Sequence, residues 1–281
     1  MIMKKKNFLI AGATLVEILI AIVIASVMMM ALFTSYNVVN KSYTQVSDRA
    51  SISRVNRNII SMLLKDIRMA GFYDVNAQKF SSPELQPILI TKNNTNCDKI
   101  VIVYGDRVKV GSTIEFPLYQ VTYECKNSKI PDRKATPNNS GVYPPLSLKA
   151  IYKTKKKWNE SNKNWDDAST DGDSNTYPPN IVVDYVEDLI FNPIDENGKI
   201  ISPIPSNTEN SEMLSKIKAV DIGLILRSTD EFYKNEKNRT AFSLSEKDNK
   251  NQSGNRNKEV NDKFLRDTII VTAYARNVQQ N

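Results

Sequence analysis

The chain has 281 residues, of which 41% are hydrophobic and 25% charged, and its formal net charge is +7. This composition excludes disorder of the whole chain. Histidine, the residue type that most often serves as a general base or zinc ligand, is absent, which disfavours most enzyme classes and zinc sites. We therefore expect a protein that is not an enzyme and that needs no metal and no cofactor.

A long apolar segment follows a short basic N-terminus. Lysines occupy positions 4–6, and residues 13–33 are apolar except for Thr14, Glu17 and Ser26. As a helix, about 21 residues at about 1.5 Å per residue span about 31 Å, which is the thickness of a hydrocarbon core. We expect a transmembrane helix here, with the N-terminus in the cytoplasm because the lysines precede it.

The sequence AGATLVEILIAIVI, at residues 11–24, resembles the class III signal of type IV pilins and pseudopilins. That signal has a short basic leader, a glycine, and a glutamate as the fifth residue after the glycine, and Gly12 and Glu17 fit this spacing. The resemblance implies that a prepilin peptidase cleaves after Gly12 and that the new N-terminus, Ala13, is N-methylated. Pilins more often have Phe or Met where this chain has Ala13.

The resemblance also implies a use for the carboxylate of Glu17, which is costly inside an apolar span. Cleavage after Gly12 creates a terminal amine, and Glu17 of one subunit would neutralise the amine of its neighbour during docking into a filament. The alternative is a carboxylate near the end of an ordinary membrane anchor, extending toward the interface.

The helix is expected to continue beyond the membrane. Residues 36–71 carry apolar side chains at spacings of three and four, which is typical of a helix with one buried face. Neither Pro nor Gly occurs between Ala13 and Ala70, and Gly71 stands where a left-handed cap would end the helix.

Two further phrases are similar to minor pilins of the PilW type. One is LLKDIRMAGFYD at residues 63–74, and the other, which is weaker, combines AVDIGLILRS at 219–228 with LRDTIIVTAYARN at 265–277. The PilW type is related to the J-type minor pseudopilins of type II secretion. The residues that carry the match are Asp66, Arg68, Ala70, Gly71, Arg276 and Asn277.

From residue 86 the apolar periodicity changes to two, which is typical of β-strands. Seven such segments predict an α+β fold, in which the long helix packs on an antiparallel head domain of two sheets. The resemblance implies that this fold is type IV pilin-like. The segments are residues 86–92, 99–106, 118–125, 146–153, 180–191, 218–228 and 267–276. We expect Ile100, Ile102, Ile222, Leu224, Ile270 and Thr272 to share the core with their alternating neighbours.

These patterns predict the domain organisation. The expected parts are a cleaved leader at 1–12, a transmembrane half-helix at 13–35, an amphipathic half-helix at 36–71 and a β-rich head at 72–281. Within the head, residues 229–262 are highly polar and are expected to form a mobile insertion, with partner contact through Phe232, Tyr233 or Phe242 as a lesser option.

Cys97 and Cys125 are the two cysteines of the chain. A pair in an exported domain is more often a disulfide than a metal site, because zinc needs about four ligands and no histidine can help. We expect a disulfide, and two free thiols are the alternative.

Residues 151–165 combine lysines with two tryptophans, a mixture that can hold phosphates and stack on bases. A plain hairpin, in which the tryptophans face each other across the strands, explains the same pattern better. Nucleic acid is therefore a less favoured partner. The candidate surface-binding residues are Lys155, Lys156, Lys157, Trp158 and Trp165.

The expected function is that of a low-abundance type IV pilin that primes pilus assembly and sits at or near the pilus tip. The alternatives are a J-type minor pseudopilin of type II secretion, and a tip adhesin or DNA-uptake pilin that binds through residues 151–165. Expected partners are other minor pilins, the major pilin, prepilin peptidase, the inner-membrane assembly platform and, as an option, a tip adhesin. The expected location is the inner membrane with a periplasmic head, and then the pilus at the cell surface.

Overall fold

The computed structural model describes residues 14–73, 85–93, 97–110, 112–132, 135–167, 175–201, 214, 216–247 and 253–278. Two compact units divide the chain, Met1–Asp48 and Arg49–Asn281. The long helix α1, Leu15–Met69, contributes to both units. The second unit contains fourteen strands among the described residues.

In the second unit, α1 buries one face against the sheet. Ile59, Leu63, Ile67 and Ala70 are buried, and they follow each other at spacings of four, four and three, so they lie along one stripe of the helix. All four belong to the main hydrophobic core, together with the strand residues that face the helix. The expected packing of the long helix on one face of the head is confirmed.

The helix ends at Gly71, which has a φ of 75°. Its N–H donates to the carbonyl oxygen of Val103 at 2.9 Å, and the side chain of Asn277 donates to the carbonyl oxygen of Arg68 at 3.1 Å. A Cβ at Gly71 would lie 3.0 Å from the carbonyl oxygen of Asn277. Glycine is required here both by the left-handed backbone and by the close approach of the C-terminal segment.

Seven strands form the continuous order of the main antiparallel sheet, β1-β2-β5-β6-β8-β9-β14, and β7 pairs with β6 as an eighth strand. Three two-stranded sheets, β3-β4, β10-β13 and β11-β12, accompany it, so the β-structure of the head is divided unequally. The strands are β1 (Ile88–Thr91), β2 (Lys99–Gly105), β3 (Val108–Val110), β4 (Thr113–Glu115), β5 (Leu118–Asn127), β6 (Lys149–Asn159), β7 (Asn164–Asp166), β8 (Tyr177–Ile194), β9 (Ala219–Glu231), β10 (Lys237–Ala241), β11 (Ser245–Lys247), β12 (Ser253–Asn255), β13 (Lys258–Asp262) and β14 (Phe264–Tyr274).

The seven segments expected from the sequence are the seven strands of the main order, so the fold class is confirmed. The short strands β3, β4, β7 and β10–β13 are additional. Their sequences lack a sustained apolar alternation.

The expected core face of β14 is wrong by one residue. Ile270 is 50% exposed and Thr272 is exposed, whereas their neighbours Val271 and Ile269 pack against the core. The register explains this, because Val271 pairs with Ile222, whose side chain is buried. In a strand of continuous apolar residues, alternation alone does not tell which set faces inward.

The described parts of the polar segment, residues 229–247 and 253–262, include two short ribbons, β10-β13 and β11-β12, and the mobility of the segment stays a prediction. It folds back over the face of the main sheet that is opposite to α1. The side chain of Leu244 comes within 3.1 Å of where a Cβ on Gly223 of β9 would lie, so the missing side chain provides the space for this contact. Few residues of the segment are apolar, and an ionic contact of Arg256, described below, also fastens it to the main sheet.

Candidate functional site

The start of α1 carries a capping box. The Thr14 N–H donates to Glu17 Oε2 at 2.8 Å and the Thr14 hydroxyl donates to the same oxygen at 3.0 Å, while the Glu17 N–H donates to the Thr14 hydroxyl at 3.3 Å. A Thr followed three residues later by Glu satisfies otherwise unpaired N–H groups at a helix N-terminus in this way. Glu17 therefore already has a role within its own chain.

The carboxylate keeps capacity for a further partner. Both bonds from Thr14 end on Oε2, and an ionised carboxylate offers about four acceptor sites on its two oxygens. Glu17 is exposed, so a cation from outside the chain can approach it. Gly12 and Ala13, the predicted cleavage site, lie outside the described residues.

The first part of α1 is apolar on all sides. It is long and apolar enough to cross a membrane, and no part of its apolar window is buried within the described chain. The hydroxyls of Ser26 and Thr34 donate to the carbonyl oxygens of Ile22 and Met30 at 2.7 and 2.8 Å, so these two polar residues satisfy their hydrogen bonds on the helix itself. An exposed apolar surface of this kind needs lipid or other helices around it.

Cys97 and Cys125 form a disulfide, with their Cα atoms 5.9 Å apart. The bridge ties the segment before β2 to the end of β5. Two backbone hydrogen bonds hold the same segment against β8. The Cys97 N–H donates to Asp188 Oδ1 at 2.9 Å, and the Asp98 N–H donates to the Leu189 carbonyl oxygen at 2.7 Å.

Beside this disulfide lies a buried cluster of four charged side chains. Arg256 Nη1 is 2.6 Å from Asp98 Oδ1, and Arg256 Nε is 3.1 Å from Asp188 Oδ2, while Lys92 Nζ is 2.9 Å from Asp98 Oδ2. The side chains of both acids are fully buried, and that of Arg256 is 6% exposed. Two carboxylates thus face two cations, so the cluster is neutral overall.

The electrostatics of Arg256 follow from these neighbours. Burial alone would lower the pKa of its guanidinium, but hydrogen bonds and charges from Asp188 and Asp98 outweigh burial and raise the pKa above its ordinary value. Arg256 lies between β12 and β13, whereas the two acids lie beside β2 and in β8. The cluster therefore fastens the folded-back ribbons to the main sheet.

A second buried ion pair joins α1 to the sheet. Asp66 accepts a hydrogen bond from the Tyr123 hydroxyl at 2.6 Å and lies 2.7 Å from Lys153 Nζ. Burial and the adjacent charge of Asp66 raise the pKa of Tyr123. The Asp66 charge and hydrogen bond also raise the pKa of Lys153, although burial opposes this. Asp66 is one of the residues in the PilW-like phrase, and its observed role is to hold the helix on the sheet.

The other residues of that resemblance lie near the end of α1. Ala70 is fully buried, Gly71 closes the helix, and Asn277 caps it through the carbonyl oxygen of Arg68. Arg68 and Asn277, which make contact here, are 209 positions apart in sequence, and the fold brings the two phrases together. These contacts hold the end of α1 against the C-terminal segment.

The lysine and tryptophan segment forms the plain hairpin β6-β7. Trp158 pairs directly with Trp165, and their ring centroids are 5.1 Å apart in an edge-to-face arrangement. Trp158 is buried and its Nε1 donates to Glu160, which leaves little ring surface for a base.

The lysines of this segment also have partners within the chain. Lys155 Nζ lies 3.9 Å from the ring centre of Tyr119, Lys156 lies 2.6 Å from Asp167, and Lys157 lies 3.8 Å from Glu115. The five candidate binding residues do not converge on one open site. The geometry gives no support to the DNA-binding alternative.

Sequence reasoning missed the cluster of Asp98, Asp188 and Arg256. These residues are separated by 68 to 158 positions, and none lies in a recognisable motif. The sequence offered one indirect signal for this cluster. Asp98 directly follows Cys97, and a charged residue next to a disulfide-bonded cysteine is held in a fixed place. The Thr14 and Glu17 capping box could have been found, because its spacing is a standard helix-start signature.

Comparisons with known proteins find a likeness in structure and none in sequence. No protein-family model matches the chain, and no curated protein matches it. Among solved structures, the chain is similar to a type IV-like pilin from Thermus thermophilus, with 12% sequence identity and a TM-score of 0.43, over 82% of this chain and 97% of that chain.

Proposed function

We propose that this protein is a type IV pilin-related subunit that is cleaved after Gly12, N-methylated at Ala13 and assembled into a filament through Glu17. One observation carries the proposal. A glutamate stands at the fifth position after the glycine of a basic leader, at the start of an exposed apolar helix, and its carboxylate remains open to a cation from outside the chain.

The chemistry of docking follows from the helix start. Cleavage places the terminal amine of Ala13 directly before Thr14, and a filament brings this amine to Glu17 of a neighbouring subunit. In the low-dielectric interior of a helical bundle, an ammonium and a carboxylate attract each other strongly and offset part of their desolvation. Thr14 holds one oxygen of the carboxylate, which leaves the other for the amine.

The finer assignment is a minor pilin that primes assembly and lies at or near the pilus tip. The phrases around Asp66 and Asn277 are similar to the PilW type, and the head is bulky for a shaft subunit that repeats thousands of times. Its surroundings would then be other minor pilins, the major pilin and the inner-membrane assembly platform. The helix spans the inner membrane before assembly, with the head in the periplasm.

Glu17→Gln is the variant that tests the proposal. Glutamine preserves the capping box with Thr14, so the helix start is maintained, but it removes the negative charge. We expect normal cleavage and membrane insertion with a large drop in the amount of protein in sheared filaments, measured by immunoblot. Ser26→Ala is the matched control, since it removes another polar group of the same helix that bonds within the helix.

Two outcomes would contradict the proposal. Normal incorporation of the Glu17→Gln variant would show that the charge is not needed. An equal loss in the Ser26→Ala control would show that the loss does not depend on the carboxylate of Glu17.

A further inference from the structure

Lys92 and Asp98 of the buried charged cluster also meet an asparagine. Lys92 Nζ donates to Asn192 Oδ1 at 2.9 Å and to Asp98 Oδ2 at 2.9 Å. The side chain of Asp98 is fully buried, Asn192 is 1% exposed, and the side chain of Lys92 is 14% exposed. One nitrogen atom thus contacts both a side-chain amide and a carboxylate, in a place that water hardly reaches.

The fold holds these residues on three separate segments. Strand β8 pairs with β6 through its first half and with β9 through its second half. Beside that second half, the Asp98 N–H donates to the Leu189 carbonyl oxygen at 2.7 Å, and the Phe191 N–H donates to Asp98 Oδ2 at 2.9 Å. Lys92 directly follows β1, and it is 100 positions from Asn192 in sequence. Their contact is therefore set by the folded sheet.

The three groups are those needed to form an amide bond between two side chains. A lysine amine is a nucleophile, the Cγ of asparagine is an electrophile, and a carboxylate in contact with the nitrogen can carry protons. Lys92 Nζ is 2.9 Å from Asn192 Oδ1, and a C=O bond is about 1.2 Å long, so Nζ lies at most about 4.1 Å from Cγ. A near-attack arrangement needs about 3–3.5 Å, which a rotation of the Asn192 amide can provide.

We propose that Lys92 and Asn192 become joined by an isopeptide bond in the folded head. Asp98 accepts a proton from the ammonium of Lys92, and the lone pair of Nζ then forms a bond to Cγ of Asn192. The bond between Cγ and Nδ2 breaks while Asp98 relays protons, so that two protons pass from Nζ to Nδ2 in all. One ammonium ion leaves and Asp98 ends as a carboxylate, so atoms and charges balance.

Burial favours this reaction over its competitor, which is hydrolysis of the amide. Water would convert Asn192 to aspartate, but the low exposure of the site excludes it. The lysine amine, in contrast, is held against the amide by the fold. The reaction occurs once in the life of each molecule, so a small fraction of neutral amine is sufficient.

The cluster keeps its remaining charges paired after Lys92 has lost its own. Arg256 contacts both Asp98 and Asp188. Asp98 also accepts hydrogen bonds from two backbone N–H groups at 3.1 and 2.9 Å, and the N–H of the new amide can still donate to it. The ion pair of Lys92 with Asp98 is thus the arrangement before the bond forms.

The bond would tie β1, the strand at one end of the main sheet, to β8 in its interior. Together with the disulfide of Cys97 and Cys125, it would give the head two covalent links beside the start of β2. A head that is exposed outside the cell would gain resistance to proteolysis and to unfolding. The bond lies within the head and does not depend on the docking of Glu17.

Mass spectrometry of two variants with the same composition tests the proposal. Lys92→Arg keeps the cation and removes the amine nucleophile, whereas Lys156→Arg, the matched control, changes a lysine that pairs with the exposed Asp167. Each full chain would be purified in detergent micelles, then reduced and denatured. Lys156→Arg should be lighter than Lys92→Arg by one ammonia, about 17 Da.

Peptide mapping of the wild-type chain locates the bond. Trypsin should not cut after Lys92, and a branched peptide should join the segments that contain Lys92 and Asn192. This separates the isopeptide bond from cyclisation of Asn197 before Gly198, which also releases ammonia.

Equal masses of the two variants would overturn the proposal. Mapping of the lost ammonia to Asn197 would overturn it as well. The branched peptide is required in the wild-type chain, whatever the variants do to folding, so cleavage after Lys92 and an intact Asn192 in folded wild-type protein would also contradict it.

Discussion

Arg256→Met removes the guanidinium that fastens the folded-back ribbons to the main sheet while keeping a side chain of similar length. In the native chain, Arg256 contacts Asp98 and Asp188, and the side chains of both are fully buried. After the substitution, Asp98 keeps its ion pair with Lys92 and hydrogen bonds from backbone N–H groups. Asp188 keeps hydrogen bonds from the backbone N–H groups of Cys97 and Leu189.

The expected cost comes from leaving a carboxylate buried without its cation. Removing one partner of a buried ion pair lowers the free energy of unfolding by about 3–5 kcal/mol. Folded domains are stable by about 5–15 kcal/mol, so this is a large share. With a urea dependence of about 1–3 kcal/mol per molar, the midpoint of unfolding should fall by at least about 1 M.

Tryptophan fluorescence reports the unfolding of the head, because Trp158 and Trp165 both lie in it. The full chain in detergent micelles would be titrated with urea. Lys156→Met is the matched control, since its partner Asp167 is 71% exposed and an exposed pair contributes about 0–1 kcal/mol. Equal midpoints for Arg256→Met and Lys156→Met would refute the reasoning.

Three further predictions concern the stability of the head, and each is read from the same urea titration. Gly71→Ala should lower the free energy of unfolding by at least about 1–2 kcal/mol. The loss should exceed that of Gly141→Ala, because Gly141 has a similar φ but open space around it. Equal losses would contradict the packing at the end of α1. The free energy of unfolding should fall as the pH rises above about 10, the ordinary pKa of tyrosine. Burial and Asp66 raise the pKa of Tyr123 in the folded state, so the unfolded chain loses this proton first. Tyr123→Phe should reduce that pH dependence, and an unchanged slope would contradict this role of Tyr123. Replacing Cys97 and Cys125 together by serine should cost about 2–4 kcal/mol, since the bridge closes a loop across a sequence separation of 28; a change below about 1 kcal/mol would contradict this.

The strands of the main sheet could be predicted because each is rich in apolar residues and is bounded by turn residues. That signal is local, and β14, at one end of the sheet, shows its limit. In β14, continuous apolar residues made the inward set ambiguous, and the register with Ile222 settles it. A one-residue error of this kind exchanges the two faces, which is why the exposed Ile270 was expected inside.

The contacts of the polar insertion with the main sheet could not be predicted from composition. One of them is made by Arg256, whose partners Asp98 and Asp188 are 158 and 68 residues away in sequence. Composition indicates how much apolar surface a segment can bury by itself. It gives no information about one ion pair with a distant site. The helix start is different, because the Thr14 and Glu17 spacing is local and readable.

A zero-length carbodiimide cross-link on assembled material is the most direct measurement of the central claim. Carbodiimide joins a carboxylate to an amine that is in contact with it, and peptide mass mapping then identifies both residues. We predict a link between Glu17 and the N-terminal amine of a neighbouring subunit, from a chain that begins at methylated Ala13. Recovery of residues 1–12 on the mature protein, or of Glu17 unlinked in intact assemblies, would contradict the account.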